Sequence, residues 1–417
     1  MFTAPLRPFI CQRRAQTNND PTMTDQRPQS IPAIAIVSNS QTPYRLHVHQ
    51  RIARELPQIR LWSLFTHETS NAPWAFSNPE EIGPVLFGKG ESSDQQAKPK
   101  NILREWRRGG RIIRWMKEHD IRFVLMMGYN DAGRMRMIRW CHRRHIPCWL
   151  FGDSNIRGDL ATGLKAVIKK IVVRRVVAQC DGIFSCGTLG RDYFAKYGAD
   201  PDRCFFYPYE PDYHLIQGQS PAAIEQVGTR WSLAKDRRRI VFSGRLAQVK
   251  RPELLMAAFI AISEQRPNWD LLMIGDGPLR QLLQNQLPPA LTDRVKWTGF
   301  IDDQAAIGAL YRLSDLLVLP SDYEPWALVI NEAASAGLAI VSSNVVGAAA
   351  ELVRDGVNGR LFPPGDLAAL TECLLDATNR IDEMKAQSSK ILADWRSRGD
   401  PVQGLRAALI ASGVIGK

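Results

Sequence analysis

The stretch DLLVLPSDYEPWALVINEAASAGLAIVSS, residues 315–343, decides the fold. It opens on a short apolar run, DLLVLP, closes on another, LAIVSS, and holds a segment of helical length between them. Two strands joined in this way predict parallel neighbours, because a parallel pair needs a crossover. Pro325 suits the first helical turn, where its missing N–H would be unpaired anyway, and Gly337 suits the position just past the helix end. Glu332 is then expected two turns inside the helix, ~12 Å beyond Glu324 at ~1.5 Å per residue. Val329, Ile330, Ala333 and Ala334 surround it, so burial is expected, and a buried carboxylate requires partners. Glu324 at the helix entrance can simply favour the dipole, but a ligand rich in hydroxyl groups would partner both carboxylates.

The same unit repeats outward. RIVFSG (239–244), DLLMIG (270–275), RVKWTG (294–299) and NGRLF each lead into an amphipathic stretch. The first half keeps the rhythm with AIAIVS (33–38), RLWSLFT (60–66), RFVLMM (122–127), PCWLFG (147–152) and GIFSC (182–186), broken at residues 67–100 by a loop-rich insertion. The expected architecture is α/β: two Rossmann-like, doubly wound domains facing across a cleft, with ligands at the carboxyl ends of the strands. The divisions read from composition are a disordered leader over 1–30, with Met23 a second candidate start, a first domain over 31–215 and a linker over 216–238. A second domain follows over 239–385, and a helical segment near the domain junction over 386–417.

Composition narrows the class. The 417 residues are 45% hydrophobic and 23% charged, as in ordinary globular proteins, and no apolar run reaches the ~20 residues that cross a bilayer. Seven cysteines without C-x-x-C or zinc-finger spacing fit free thiols in a reducing cytoplasm. The net charge of +12 sits in the first half, where residues 1–235 carry 34 Lys and Arg against 21 Asp and Glu.

Cations stand at a strand end in GRLAQVKRP. Arg245 follows Gly244 at the end of one strand and Lys250 precedes a helix, an arrangement that favours an anion, although two solvated surface charges are the plain alternative. The turn IGDGP, with Asp276 and Gly277, permits close backbone approach to a ligand. Taken in order, GRLAQVKRP, IGDGP, WTGFID, LVLPS, EPWALVINE, EAASAG and AAELVRDGVNGRLFPPGD over residues 239–367 resemble the C-terminal domain of the retaining glycosyltransferases of family 4, group 1 enzymes of GT-B architecture.

That resemblance implies roles for particular residues. Arg245 and Lys250 would hold the diphosphate of a nucleotide-sugar of UDP or GDP type, Glu332 would bind the ribose, and Glu324 would contact the transferred sugar. Tyr323 and the stretch Pro325, Trp326, Ala327 and Leu328 would lie along sugar and phosphate. The chain departs from the pattern at Trp326 and Ala327, where Phe-Gly is common, and at Asn331. The resemblance further implies no metal and no cofactor, with the leaving diphosphate stabilised by cations and N–H groups. It also implies retention by same-face attack and an acceptor that is a glycan or membrane lipid of the envelope.

In the first half, the turn after AIAIVS resembles the family's first βα loop, which faces diphosphate and acceptor, and this implies Asn39, Gln41, Tyr44 and Arg45 as acceptor-side candidates. Asp153 in WLFGDSN stands near a loop that touches the donor sugar in the family, and equally suits a helix cap. His47 and His49 are read as surface or packing residues. Residues 98–144 carry 14 Lys and Arg against 4 Asp and Glu. Along NILREWRRGGRIIRWMKEH an apolar face of Ile102, Leu103, Trp106, Ile113 and Met116 leaves Arg104, Arg107, Arg108, Arg111 and Arg114 outward. This belt is either a solvated face or a docking surface for anionic lipid at the inner membrane face; nucleic acid is not expected. The rival readings are a nucleotide-sugar epimerase of the same fold, and a basic membrane- or nucleic-acid-binding protein with a vestigial nucleotide site.

Overall fold

The structure, a computed structural model, describes residues 31–70, 74 and 76–416, and the described residues from Pro32 onward form one compact unit. The leader assigned to residues 1–30 lies outside the described residues. The first sheet contains β1 (Ala33–Ser38), β2 (Arg60–Phe65), β3 (Pro84–Leu86), β4 (Ile121–Met127), β5 (Cys148–Gly152), β6 (Gly182–Ser185) and β7 (Cys204–Phe206), in the order 3-2-1-4-5-6-7. The second contains β8 (Arg238–Ser243), β9 (Trp269–Ile274), β10 (Val295–Gly299), β11 (Leu316–Leu319), β12 (Ala339–Ser343) and β13 (Gly359–Phe362), in the order 10-9-8-11-12-13. All the paired strands are parallel. Both orders reverse direction beside the first strand, which opens a crevice at the carboxyl ends. This is the GT-B architecture.

Helices on both faces leave the central strands no solvent side, which is why AIVS in β1 and LLVL in β11 run apolar without alternation. Each Ile, Val or Leu among them contributes ~1.5–3 kcal/mol on burial. One apolar cluster runs through both halves, from Ile34 and Phe151 through Trp326 to Trp395 and Leu405. The helix Pro401–Ala411 packs on β7 and on the helix Pro43–Glu55, and Trp149 donates to Ser412 Oγ at 2.9 Å. The last residues thus close the first sheet. The six described cysteines form no disulfide.

Four expectations change. The insertion at 67–100 contains edge strand β3, paired with β2, and β7 precedes the linker; three residues are too few for a period to emerge. The linker itself carries the helices Tyr213–Gln217 and Pro221–Arg230. The helix after β11 runs Leu328–Ser335, so Pro325 lies in the loop before it and Glu332 is one turn in. Ala327 caps that helix with φ +80°, a left-handed conformation that stops helical geometry from starting earlier.

The basic belt also folds differently. The buried face of the helix Ile102–Glu118 is Glu105, Arg108, Gly109, Ile112, Ile113 and Met116, whereas Ile102, Leu103 and Trp106 are exposed. Arg108 points inward because it pairs with Glu105 and Glu91 and bonds His67 Nε2 at 2.7 Å. His67, Glu91 and Glu105 are close enough together to hold a cation, and the guanidinium already stands among them. Arg134 is buried as well: it pairs with Asp131 and donates to Met127 O at 3.0 Å and to Asn39 Oδ1. Of the other belt arginines, Arg104 meets Glu91 at 3.2 Å, Arg111 donates to Phe87 O at 2.9 Å, and Arg136 covers the Trp106 ring at 3.6 Å.

Candidate functional site

Between the halves lies a cavity of about 720 Å³. Its second-half wall comes from the loops after β8, β9 and β10 and from the helix Leu328–Ser335; Tyr44, His47, Gln50 and Trp74 face it from the first half, and Leu215 and Ile216 from the helix Tyr213–Gln217. The turns after β8 and β9 touch, because a Cβ on Gly275 would stand 2.1 Å from Gly244 O and one on Gly277 would stand 2.5 Å from Leu246 O. Only glycine allows that approach. Asp276 lines the cavity too, with its carboxylate accepting from Gly277 N at 2.7 Å and from Arg280 at 2.8 Å.

Arg245 is exposed at the cavity wall and forms no ion pair among the described residues. Glu332 is 8% exposed and lines the same cavity. Tyr311 donates to its Oε2 at 2.8 Å, while Oε1 has no partner among the described residues. Burial pushes this carboxyl up to about 7, and the Tyr311 hydrogen bond opposes part of that rise. An anion-seeking cation and a hydroxyl-seeking carboxylate therefore share one apolar chamber.

Glu324 and Lys250 pair with each other beside this chamber. Ser321 donates to Glu324 Oε1 at 3.0 Å, and the loop is laced to the one after β12 through Gly347 N to Glu324 O at 3.2 Å and Ala348 N to Trp326 O at 2.8 Å. From the first half, Asn155 donates to Glu324 O at 2.9 Å, and the Tyr323 ring packs on Gly158. The Trp326 ring turns away: it is buried against Trp395 at 5.8 Å and donates to Tyr209 O at 3.0 Å. Asn331 donates to the Tyr213 hydroxyl at 3.0 Å. Two of the three departures from that pattern, Trp326 and Asn331, thus serve the junction between halves.

The first-half candidates separate. Asn39 accepts from Arg134, and Gln41 is clasped to Ser77 by two 2.7 Å bonds, so both side chains are spent on the fold. Tyr44 lines the cavity, packed edge-on against Tyr209. Arg45 donates to Ser40 O at 2.8 Å and lies near Asp153. Asp153 opens to solvent on one side, but the protein around its other sides pushes its carboxyl above the usual range against the pull of Arg45. His49 is buried against Ser63 at 2.8 Å, with burial pushing its pKa down to about 3.

His47, by contrast, lines the cavity with Asp212 3.7 Å away, and burial lowers its pKa. Sequence reasoning missed it, together with Tyr311 and Asn155. The apolar position of Tyr311 one crossover before Glu332 was the available signal; Asn155 had none.

Comparison with known proteins bears on this geometry. Residues 237–380 match the family model described as Glycosyl transferases group 1. The chain is 29% identical over 177 residues to alpha-D-kanosaminyltransferase of Streptomyces kanamyceticus, covering 41% of this chain and 45% of that one. It is 32% identical over 200 residues to D-inositol 3-phosphate glycosyltransferase 2 of Catenulispora acidiphila, covering 44% and 45%. The matches span less than half the length of these two relatives. HepE of Anabaena, solved with UDP and with UDP-glucose, superposes with a TM-score of 0.67 at 16% identity in the UDP complex, covering 92% of this chain and 100% of that one. At that identity the likeness establishes the fold alone.

Proposed function

We propose that the chain is a family 4 glycosyltransferase that moves a sugar from a nucleoside diphosphate, UDP in the first instance, to a glycan or glycolipid acceptor with retention at the anomeric carbon. The observation that carries this reading is the pairing of unpartnered Arg245 with the open oxygen of Glu332 on one cavity wall. Glu332 accepts from the ribose hydroxyls and Arg245 faces the diphosphate. As the glycosidic bond to the diphosphate breaks, charge develops on the leaving oxygens, where Arg245, Lys250 and the free N–H groups opening the helix Leu328–Ser335 stabilise it. Lys250 exchanges its contact with Glu324 for phosphate, which frees Glu324 for hydroxyls of the sugar.

Tyr44, Arg45 and Asp153 lie on the acceptor side in this reading. UDP is named first because HepE was solved with UDP and UDP-glucose. The test is incubation with UDP-sugars and simple glycoside acceptors, with the anomeric proton of the product followed by NMR. A product of unchanged anomeric configuration, absent for Arg245→Ala, supports the proposal. An inverted product, or epimerised donor without transfer, overturns it.

A further inference from the structure

The helix Gly163–Val177 carries apolar residues on every side, and only one side of it is covered. Val173, Val176 and Val177 are buried against the first sheet. At ~100° per residue, Leu164, Val167, Ile168, Ile171 and Val172 fall on the opposite side. All five are exposed, from 42% at Val172 to 74% at Leu164, and Leu160 just before the helix is 80% exposed. Six of the sixteen exposed large apolar side chains of the described residues thus fall within thirteen positions. Scattered singly they would need no explanation, but a contiguous stripe does.

Cations border the stripe. Lys165 lies along one edge, Arg174 and Lys170 along the other, and Arg175 at its C-terminal end. All four are exposed and form no ion pair among the described residues, and the helix has no Asp or Glu. Lys169, toward the covered side, is tied to Asp159 at 2.7 Å. An apolar ridge flanked by free cations suits lying in a membrane interface, with alkyl groups in the acyl boundary and cations at lipid phosphates. A second copy is a poorer occupant, since a two-fold contact along this helix would set unpaired cations against their own equivalents.

We propose that this face docks on an anionic lipid bilayer, with Leu164, Ile168 and Ile171 inserted and Lys165, Lys170, Arg174 and Arg175 on the headgroups. The docking surface is then this helix, not the arginine belt, in which Arg108 and Arg134 are buried in the fold. The helix follows the turn where Asn155 holds the Glu324 carbonyl, so docking sets the cleft beside the bilayer. The inference goes beyond the donor reading and stands or falls without it.

The test is flotation of the full chain with vesicles of phosphatidylcholine alone and of phosphatidylcholine mixed with phosphatidylglycerol. Three double variants accompany the wild type: Ile168→Ser with Ile171→Ser, Lys170→Glu with Arg174→Glu, and, as a control on the belt, Arg107→Glu with Arg114→Glu. The expected result is flotation that needs phosphatidylglycerol and weakens with salt. Each helix variant lowers it ~10-fold or more and the belt control by less than ~2-fold. Hydrogen exchange of the wild type, which needs no variant to fold, gains protection over residues 160–177 when the mixed vesicles are added. Absence of flotation overturns the proposal, as does flotation that survives Ile168→Ser with Ile171→Ser or is lost only in the belt control. A wild-type dimer that this serine variant makes monomeric, with no flotation, overturns it in favour of a self-interface.

Discussion

The first and second halves each open with an apolar strand followed by a polar turn, yet the two turns spend their polar groups differently. After β1, Asn39 is held by Arg134 and Gln41 by Ser77, and Arg45 bonds Ser40 O. After β8, Arg245 reaches the cavity without an ion-pair partner among the described residues. One turn is consumed in building the fold, and the other is left with charge to offer a ligand. Charge density alone therefore says little about where binding occurs; what matters is whether a long-range partner has already claimed the charge.

Substitutions sharpen that contrast, beginning with the fold. Arg134→Met is expected to destabilise the protein by ~3–5 kcal/mol, because Asp131 and the Asn39 side chain lose a buried cation. Urea unfolding measures this, and a loss below ~1 kcal/mol would mean the first half does not spend its charges as described. Arg245→Ala should leave urea stability unchanged within ~0.5 kcal/mol, as an exposed and unpaired side chain. The same change should lower turnover ~10²–10³-fold in the transfer assay, by loss of a preorganised charge at the leaving group.

A pH titration comes next. The carboxyl of Glu332 is raised by burial to about 7, so between its unfolded value and 7 the native state binds the extra proton. Stability of the unliganded protein should fall as pH rises through that window, and Glu332→Gln should flatten the fall. Nucleotide binding favours the carboxylate, so it should release a proton near pH 6.5, seen as a buffer-dependent heat of binding. The smallest effect is expected at Ala327, where φ is +80°. Ala327→Gly should raise stability by ~0.5–1 kcal/mol, since relief of the left-handed strain exceeds the added entropy of the unfolded chain.

The βα rhythm of the second half was legible because its information is local. Six apolar runs give β8 to β13 within about a residue at each end, and the apolar neighbours of Glu332 announced its burial. What failed was long-range. Arg108 read as an outward charge because its partner His67 lies 41 positions away. The Trp326 ring read as a neighbour of the sugar because Tyr209, which accepts from its indole, is 117 positions earlier. The helix Gly163–Val177 carries no readable face, since apolar residues occur on all sides and only packing distinguishes the covered one. Edge strands β3 and β7 are too short for any period.

The central claim is that Arg245 and Glu332 are left open in order to hold a nucleoside diphosphate. Calorimetric titration of UDP, GDP and ADP, without added metal, into the wild type and into Glu332→Ala tests it most directly. The account predicts micromolar binding of UDP that falls ~10-fold or more in the variant, the cost of a hydrogen bond to a charged group. Binding of none of the three, or UDP binding indifferent to Glu332, would contradict it.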